Sequence, residues 1–442
     1  MHSLALALAD QGFQVTGSDD MLFEPSRSRL KARGLLPQAD GWFPEKITSQ
    51  LDAIILGMHA KKNNPELIRA KELNLPVFSY PEFIYQASQN KQRIVIGGSH
   101  GKTTITSMVI HVLNELKRDF DYVVGALMPG FDNMVKLSEA PIIVIEGDEY
   151  LTSTLDRTPK FLKYKHHIGL VSGIAWDHIN VFPTIDDYVK QFDLFADATP
   201  KAGTLIYCEE DDLATVICGK ERPDVARVAY KHHPYLIEDG MTFLINGEAK
   251  IPVKVFGDHN MQNFGGAKEV LKKLGVTEEA FFEAITSFTG AANRLELVHD
   301  NQKTAIFKDY AHAPSKLKAT AKALKDQFPD RQLVACMELH TFSSLNKKFL
   351  DQYKDSFDTD IQPVVYYNPK ILANKNLEQI SEEEIMDAFG RQDLKVFTEI
   401  DQLEQFLLGQ SWKSKNLLMM SSGSFDNLNL MILSESIIAS NH

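Results

Sequence analysis

Lys102-Thr103-Thr104 is where this chain is equipped to handle phosphate. The three residues close the run Gly97-Gly98-Ser99-His100-Gly101, which follows the apolar Ile94-Val95-Ile96. A helical pattern comes next, with Ile105, Met108, Val109, Val112, Leu113 and Leu116 on one face. In such a strand, turn and helix, backbone N–H groups and the helix N-terminus face an anion. A lysine adds a point charge and a hydroxyl holds Mg²⁺. The spacing predicts a nucleoside triphosphate site made of Gly98, Ser99, His100, Gly101, Lys102, Thr103 and Thr104. It is a short form, G-x-x-G-K-T, because Ile96 stands where the general phosphate loop has its first glycine. A glycine turn preceding Lys-Thr by accident is the plainer reading. The order of strand, turn and helix argues against it.

Further charged or amide groups fall where strands end. The apolar Ile142–Ile145 run ends in Glu146-Gly147-Asp148-Glu149-Tyr150, and a carboxylate beside a phosphate loop is placed to bind Mg²⁺ or polarise water. At least one carboxylate of this turn is an expected metal ligand. Asp177-His178 lies beyond the run Ile168–Val171, which makes His178 a second candidate ligand. Asn260 and Asn263 share one face of a helix and can present amides to a nucleobase edge, or act as a cap and a solvated amide. Arg294 stands at a domain junction, suited to a γ-phosphate on closure or to an interdomain ion pair. Asp309-Tyr310-Ala311-His312-Ala313-Pro314 closes a strand before a helix.

These residues need an α/β scaffold, and the chain reads as one. Strands are expected at Val15–Asp19, Ala53–Gly57, Val77–Ser79, Ile94–Ile96, Ile142–Glu146, Ile168–Val171, Thr304–Lys308, Leu333–Met337, Pro363–Tyr367 and Leu417–Met420. Helices are expected at Pro65–Leu73, Ile185–Phe195, 259–273 and 278–288. At roughly 150 residues per domain, 442 residues suggest three domains. The divisions fall at 1–90, 91–291 and 292–442, the last near Gly290-Ala291-Ala292-Asn293. A net charge of −12 without a Lys/Arg-rich block argues against nucleic acid and anionic membrane as partners. Three cysteines make no disulfide framework and read as small buried hydrophobes. No run reaches the ~18 apolar residues of a membrane span. The opening Leu4–Ala9 reads as an internal helix and not a signal peptide, so the cytoplasm is the expected compartment.

In order and spacing, the phosphate loop Gly98–Thr104, the Glu146–Glu149 turn, Asp177-His178, Gly257–Asn263, Arg294 and Asp309–Pro314 together resemble the Mur ligase family. That family makes amide bonds in peptidoglycan precursors at the expense of ATP. The resemblance implies a Rossmann-like UDP-binding domain, a central P-loop ATPase domain and a C-terminal Rossmann-like domain that brings the amine. It implies ATP and Mg²⁺, with Lys102 on the β/γ-phosphates and Thr103, Glu146 and His178 on metal. Arg294 would meet the transferring phosphoryl group. Asn260 and Asn263 would lie near adenine, Asp309 and His312 near ribose and phosphates. The pattern ending Thr16-Gly17-Ser18-Asp19 resembles the branch acting on UDP-N-acetylmuramate, with Ser18 and Asp19 on that substrate. The segment Asp156–Phe161 with Tyr164 resembles enzymes that attach the tripeptide L-Ala-γ-D-Glu-meso-diaminopimelate, L-alanine being the alternative amine. A monomer or weak dimer is expected.

Two departures stand out. The family usually has Thr-Asn-Ile before Asp-His, and this chain has Ser172-Gly173-Ile174-Ala175-Trp176. The family also opens with a strand and Gly-rich turn before the first helix, whereas Met1 lies at that helix, so an N-terminally truncated UDP domain is expected. Two other classes are weaker. A nicotinamide oxidoreductase needs G-x-G-x-x-G after the first strand, which is missing. A nucleotide-switched regulator has no use for Asp177-His178 and Asp309–His312.

Overall fold

The computed structural model describes residues 1–301 and 303–439. Its strands, in chain order, are β1 Ile54–Leu56, β2 Val77–Ser79, β3 Gln92–Gly97, β4 Asp121–Val123, β5 Val135–Lys136, β6 Ile142–Glu146, β7 Ile168–Val171, β8 Thr204–Cys208 and β9 Ala226–Tyr230. They continue with β10 Tyr235–Glu238, β11 Met241–Asn246, β12 Ala249–Val253, β13 Glu296–Asp300, β14 Ala305–Asp309, β15 Gln332–Glu338, β16 Gln362–Tyr366, β17 Lys395–Phe397 and β18 Lys415–Met420. The chain divides into two compact units. One holds Met1–Ala175, Ile185–Lys231 and Gly266–Phe281; the other holds Trp176–Thr184, His232–Gly265 and Phe282–His442.

The first unit is built on a seven-stranded sheet in the order β5-β4-β6-β3-β7-β8-β9. Every neighbouring pair is parallel except β4 with the edge strand β5. Ile94, Val95 and Ile96 are fully buried, as a central parallel strand covered on both faces requires. The chain leaves β3 through helix Lys102–Glu115, forms the outer strands β4 and β5, returns beside β3 as β6, and crosses to its other side as β7. That reversal puts the carboxyl ends of β6, β3 and β7 around one crevice, the usual ligand position in open α/β sheets. Helix Tyr80–Gln86 and the parallel pair β1–β2 belong to the same unit.

The second unit carries a six-stranded sheet in the order β13-β14-β18-β15-β16-β17, parallel apart from the edge pair β13–β14. Alternate residues feed two layers. Ile306, Val334, Cys336 and Leu417 pack into one core, and Phe307, Ala335, Met337 and Leu418 into the other. All three cysteines are buried and reduced, as their use as hydrophobes predicts.

Two expectations are corrected. Val15–Asp19 runs without a ladder, and of these five residues only Asp19 forms a bridge, with Gly41. An alternating stretch becomes a strand only when a neighbour takes its N–H and C=O groups. The antiparallel sheet β10-β11-β12 was not anticipated. Its signals were local. Asp239 and Gly240 both take positive φ, as a type I′ hairpin demands, and Gly247 at φ +59° starts the second turn.

Candidate functional site

Beyond β3 the backbone turns through Gly98 at φ +130° and Gly101 at φ +75° before helix Lys102–Glu115 begins. The turn is tied to the end of β7. Ser172 N–H donates to Gly97 O at 3.0 Å, and Ser99 N–H donates to Gly173 O at 2.9 Å. Ala175 N–H donates to Ser99 Oγ at 2.8 Å, and Ser172 Oγ donates to His100 O. A side chain at Gly98 has no room, because a Cβ there would lie 2.1 Å from Ser172 Oγ. The first helical residues, Lys102, Thr103 and Thr104, follow directly, so the helix N-terminus faces the turn.

Thr103 and Glu146 meet at this site. Thr103 Oγ1 donates to Glu146 Oε1 at 2.8 Å, while Gly125 N–H donates to Glu146 Oε2 at 2.6 Å. Glu146 reaches this place because Ile96 pairs with it in the parallel ladder of β3 and β6. Lys102 Nζ donates to Gly98 O at 2.6 Å and to Glu149 Oε2 at 2.7 Å. Burial works to lower the Lys102 pKa, but Glu149, Asp148 and Glu146 outweigh it and hold the ammonium above its ordinary range. Two more residues complete the group: Glu149, one of the carboxylates of that acidic turn, and Tyr188 on helix Ile185–Asp197, which the sequence reading left without a role. Tyr188 falls inside the expected helix Ile185–Phe195, but no signal marked its hydroxyl.

This set fits a Mg²⁺–nucleotide. Magnesium is commonly held by one or two carboxylates plus a hydroxyl, the rest of its shell being phosphate and water. Thr103 and Glu146 supply that pair. Among the described residues no group of three His, Cys, Asp or Glu is placed to hold a metal ion.

In the second unit, His178 at φ +57° donates its N–H to Asp177 Oδ1 at 2.6 Å. Asp177 Oδ2 stands 3.9 Å from His312 Nε2 and 3.7 Å from Lys316 Nζ. Burial pushes the Asp177 pKa up, but Lys316, His178 and His312 pull it below the carboxylate range. Burial, helped by Lys316, takes His312 down to about 3. Its Nδ1 faces Tyr310 O at 2.8 Å, and Tyr353 O–H donates to His312 O at 2.8 Å. Lys316, four residues beyond His312, was not singled out from sequence, although that spacing puts it within reach.

Arg294 rides a strained loop. Asn293 and Leu295, its neighbours, both have positive φ, at 57° and 46°. Asp309, at the end of β14, holds the loop by accepting from Leu295 N–H and Ala311 N–H, each at 2.6 Å. Burial raises the Asp309 pKa, against Arg294 and those two N–H groups. The Arg294 guanidinium sits 4.7 Å over the Tyr310 ring. Asn260 and Asn263 are buried and turned inward. Asn260 Nδ2 donates to Phe256 O at 2.8 Å and Asn263 Nδ2 to Asn260 Oδ1 at 3.2 Å. Ser18 and Asp19 lie in the first unit, on the extended segment before Asp20.

Three consecutive family models match the chain. They are the Mur ligase family catalytic domain over residues 1–92, the Mur ligase middle domain over 96–270, and the Mur ligase glutamate ligase domain over 293–423. Among curated proteins, a UDP-N-acetylmuramate–L-alanine ligase of Sulfurihydrogenibium is 28% identical over 439 residues, covering 97% of this chain and 93% of that protein. Its Clostridium kluyveri namesake is 29% identical over 384 residues, with coverage of 82% and 81%. The fold is shared with UDP-N-acetylmuramate-alanine ligase from Thermotoga maritima (TM-score 0.71, 18% identity, 100% and 96% coverage). It is shared equally with a murein peptide ligase from Psychrobacter arcticus (TM-score 0.69, 21% identity, 99% and 96% coverage). With all three of its domains matched in order, the chain belongs to the Mur ligase family of ATP-dependent, amide-bond-forming ligases of peptidoglycan synthesis.

Proposed function

We propose that this ligase activates the lactyl carboxylate of UDP-N-acetylmuramate with ATP and joins it to the amine of L-Ala-γ-D-Glu-meso-diaminopimelate. The observation that carries the ATP half is the Thr103–Glu146 contact at 2.8 Å beside the Gly98–Lys102 turn. ATP phosphorylates the carboxylate and departs as ADP, the amine attacks the acyl phosphate and gives up a proton, and the tetrahedral adduct collapses to amide and phosphate. Such transfers ask for positioning and charge neutralisation more than covalent help from the protein. Lys102 takes the β/γ-phosphates. Thr103 and Glu146 hold one Mg²⁺ and His178 a second, and the ions neutralise phosphate charge when bound. Arg294 serves the transferring phosphoryl group, Asn260 and Asn263 the adenine, and Asp309 and His312 the ribose and phosphates. Ser18 and Asp19 serve the UDP-sugar. In this reading residues 1–90 carry the UDP-sugar, 91–291 the ATP and 292–442 the amine. The enzyme works in the cytoplasm as a monomer or weak dimer.

L-alanine is the second reading for the amine, favoured by the activity named for the curated relatives. The segment that pointed to the tripeptide does structural work in the first unit. Its Asp156 pairs with Lys163 at 2.5 Å and accepts from Thr158 N–H at 2.9 Å, and Lys163 also pairs with Glu82 at 3.1 Å. The deciding experiment is phosphate release from ATP with UDP-N-acetylmuramate plus the tripeptide, plus L-alanine, or with neither. Release driven by the tripeptide is expected. Release driven by L-alanine alone transfers the assignment to the second reading, and amine-independent release rejects the ligase reaction.

A further inference from the structure

The hydrogen-bonded chain that starts at Lys102 does not stop at Glu149. Glu149 is 1% exposed, and its Oε1 accepts from the Tyr188 hydroxyl at 3.0 Å. Tyr188 is fully buried, and its oxygen lies 2.8 Å from Ser99 Oγ. Ser99 Oγ in turn accepts from Ala175 N–H at 2.8 Å. The two ends fix the proton order. An amide N–H only donates, and an ionised carboxylate only accepts. Ser99 therefore donates to Tyr188, and Tyr188 donates to Glu149. Both hydroxyl protons point at the carboxylate, an arrangement in which each bond polarises the next and the anion is stabilised.

Lys102 is the beneficiary. Its side chain is 15% exposed, and a charge so placed needs a partner. The ammonium bonds Gly98 O and Glu149. To face a phosphate it must exchange or share one of these. We propose that Glu149 is the resident counter-ion of Lys102, releasing the ammonium to a nucleotide phosphate on binding, and that Tyr188 keeps Glu149 hydrogen-bonded once it has done so. Both are positioning residues for the phosphate-loop lysine, and the inference rests on the reading of Gly98–Thr104 as the ATP site.

The two roles have opposite signatures. Glu149→Gln removes the ion pair that a phosphate must displace and one negative charge beside it, so Mg²⁺–ATP should bind at least fivefold tighter. Tyr188→Phe leaves the Glu149 anion short of a donor when Lys102 departs, so Mg²⁺–ATP should bind at least threefold more weakly. The ring keeps its packing on Phe192, 5.3 Å away, so the fold is expected to survive. In the Glu149→Gln background, Tyr188→Phe should be nearly silent, because a neutral amide needs the donor less. The test is calorimetric titration of the full chain and its variants with Mg²⁺–ATP, with melting curves run alongside. Glu149→Ala repeats the first arm should the glutamine variant misfold. A merely structural role lowers melting temperatures and moves both affinities the same way or not at all; either result overturns the proposal. If the parent chain does not bind ATP, the site reading itself falls and the proposal with it, whereas parent binding that Lys102→Ala abolishes upholds the site independently.

Discussion

Gly98→Ala probes the phosphate turn most directly. Gly98 has φ +130°, where a side chain costs about 1–3 kcal/mol of backbone strain. Its Cβ would also lie 2.1 Å from Ser172 Oγ, 2.9 Å from Ser172 N and 3.2 Å from Gly173 O. The hydroxyl can rotate away, but it then leaves Gly97 O at 3.3 Å and His100 O, at a cost of about 1 kcal/mol. Ser172 N cannot rotate, since its N–H is fixed on Gly97 O at 3.0 Å. The turn itself must move. The sum is about 2–4 kcal/mol, and at about 2–4 °C per kcal/mol for a domain this large the melting temperature should drop by roughly 4–16 °C. A turn displaced on the order of 1 Å also mispositions Lys102 and the helix N–H groups, which predicts a loss of about a hundredfold in ATP-dependent phosphate release. Gly130→Ala is the control, with φ +81° but nothing within 4 Å of its Cβ. Differential scanning calorimetry and the phosphate assay on both variants decide it. A Gly98→Ala protein that melts with its parent and turns over normally refutes the steric argument.

Gly125→Ala should act through Glu146 alone. Its Cβ would press on the carboxylate from 2.7 Å, which a side-chain end can escape, so the melting temperature should hold while the Mg²⁺ requirement for turnover rises about tenfold. Glu146→Gln should raise that requirement further, because an amide is a poorer ligand for a hard cation; an unchanged Mg²⁺ titration returns Glu146 to a structural role. Burial first, then His167 and Arg93, lowers the His166 pKa to about 3. Its contribution is fully present above the unfolded value near 6.5 and is lost as pH falls, at about 1.4 kcal/mol per unit. Unfolding free energies from urea titrations at pH 7 and pH 5 should thus differ by about 2 kcal/mol more in the parent than in His166→Gln, and equal differences would reject the assignment. Gly173→Asn should destabilise by about 1–3 kcal/mol, since Gly173 has φ +153° and its Cβ would sit 3.1 Å from Asp211 Oδ2. A gain in ATP affinity from that change would contradict it.

What could be read from the sequence follows how local each signal is. Ile94–Ile96, Ile142–Glu146 and Ile168–Val171 were legible because buried parallel strands are continuous apolar runs, and their ends carried Gly98, Glu146 and the segment leading to Asp177. Val15–Asp19 alternates like a strand, yet pairing depends on a neighbour that alternation does not reveal. The β10-β11-β12 sheet was announced by Asp239-Gly240 and Asn246-Gly247, and it went unread because attention to chemistry passed over a segment without any. The partners of site residues were the least legible. Glu149 meets Lys102 across 47 positions and Tyr188 meets Ser99 across 89, distances that only the β3–β6–β7 topology closes.

The same topology accounts for a phosphate turn shorter than the general one. A longer loop can hold its shape with its own backbone bonds, whereas Gly98-Ser99-His100-Gly101 relies on the end of the next strand. Ser172, Gly173 and Ala175 supply the contacts, most of them through main-chain N–H and C=O groups that any residue possesses. The replacement of the family's usual Thr-Asn by Ser172-Gly173 therefore leaves that scaffold intact. Beside it, Asp211 accepts from Ile174 N–H at 3.1 Å while its other oxygen caps helix Asp212–Cys218 through Ala214 N–H. A Cβ at position 173 would lie 3.1 Å from Asp211 Oδ2, so the bare Gly173 leaves room for that carboxylate beside Ile174 N–H.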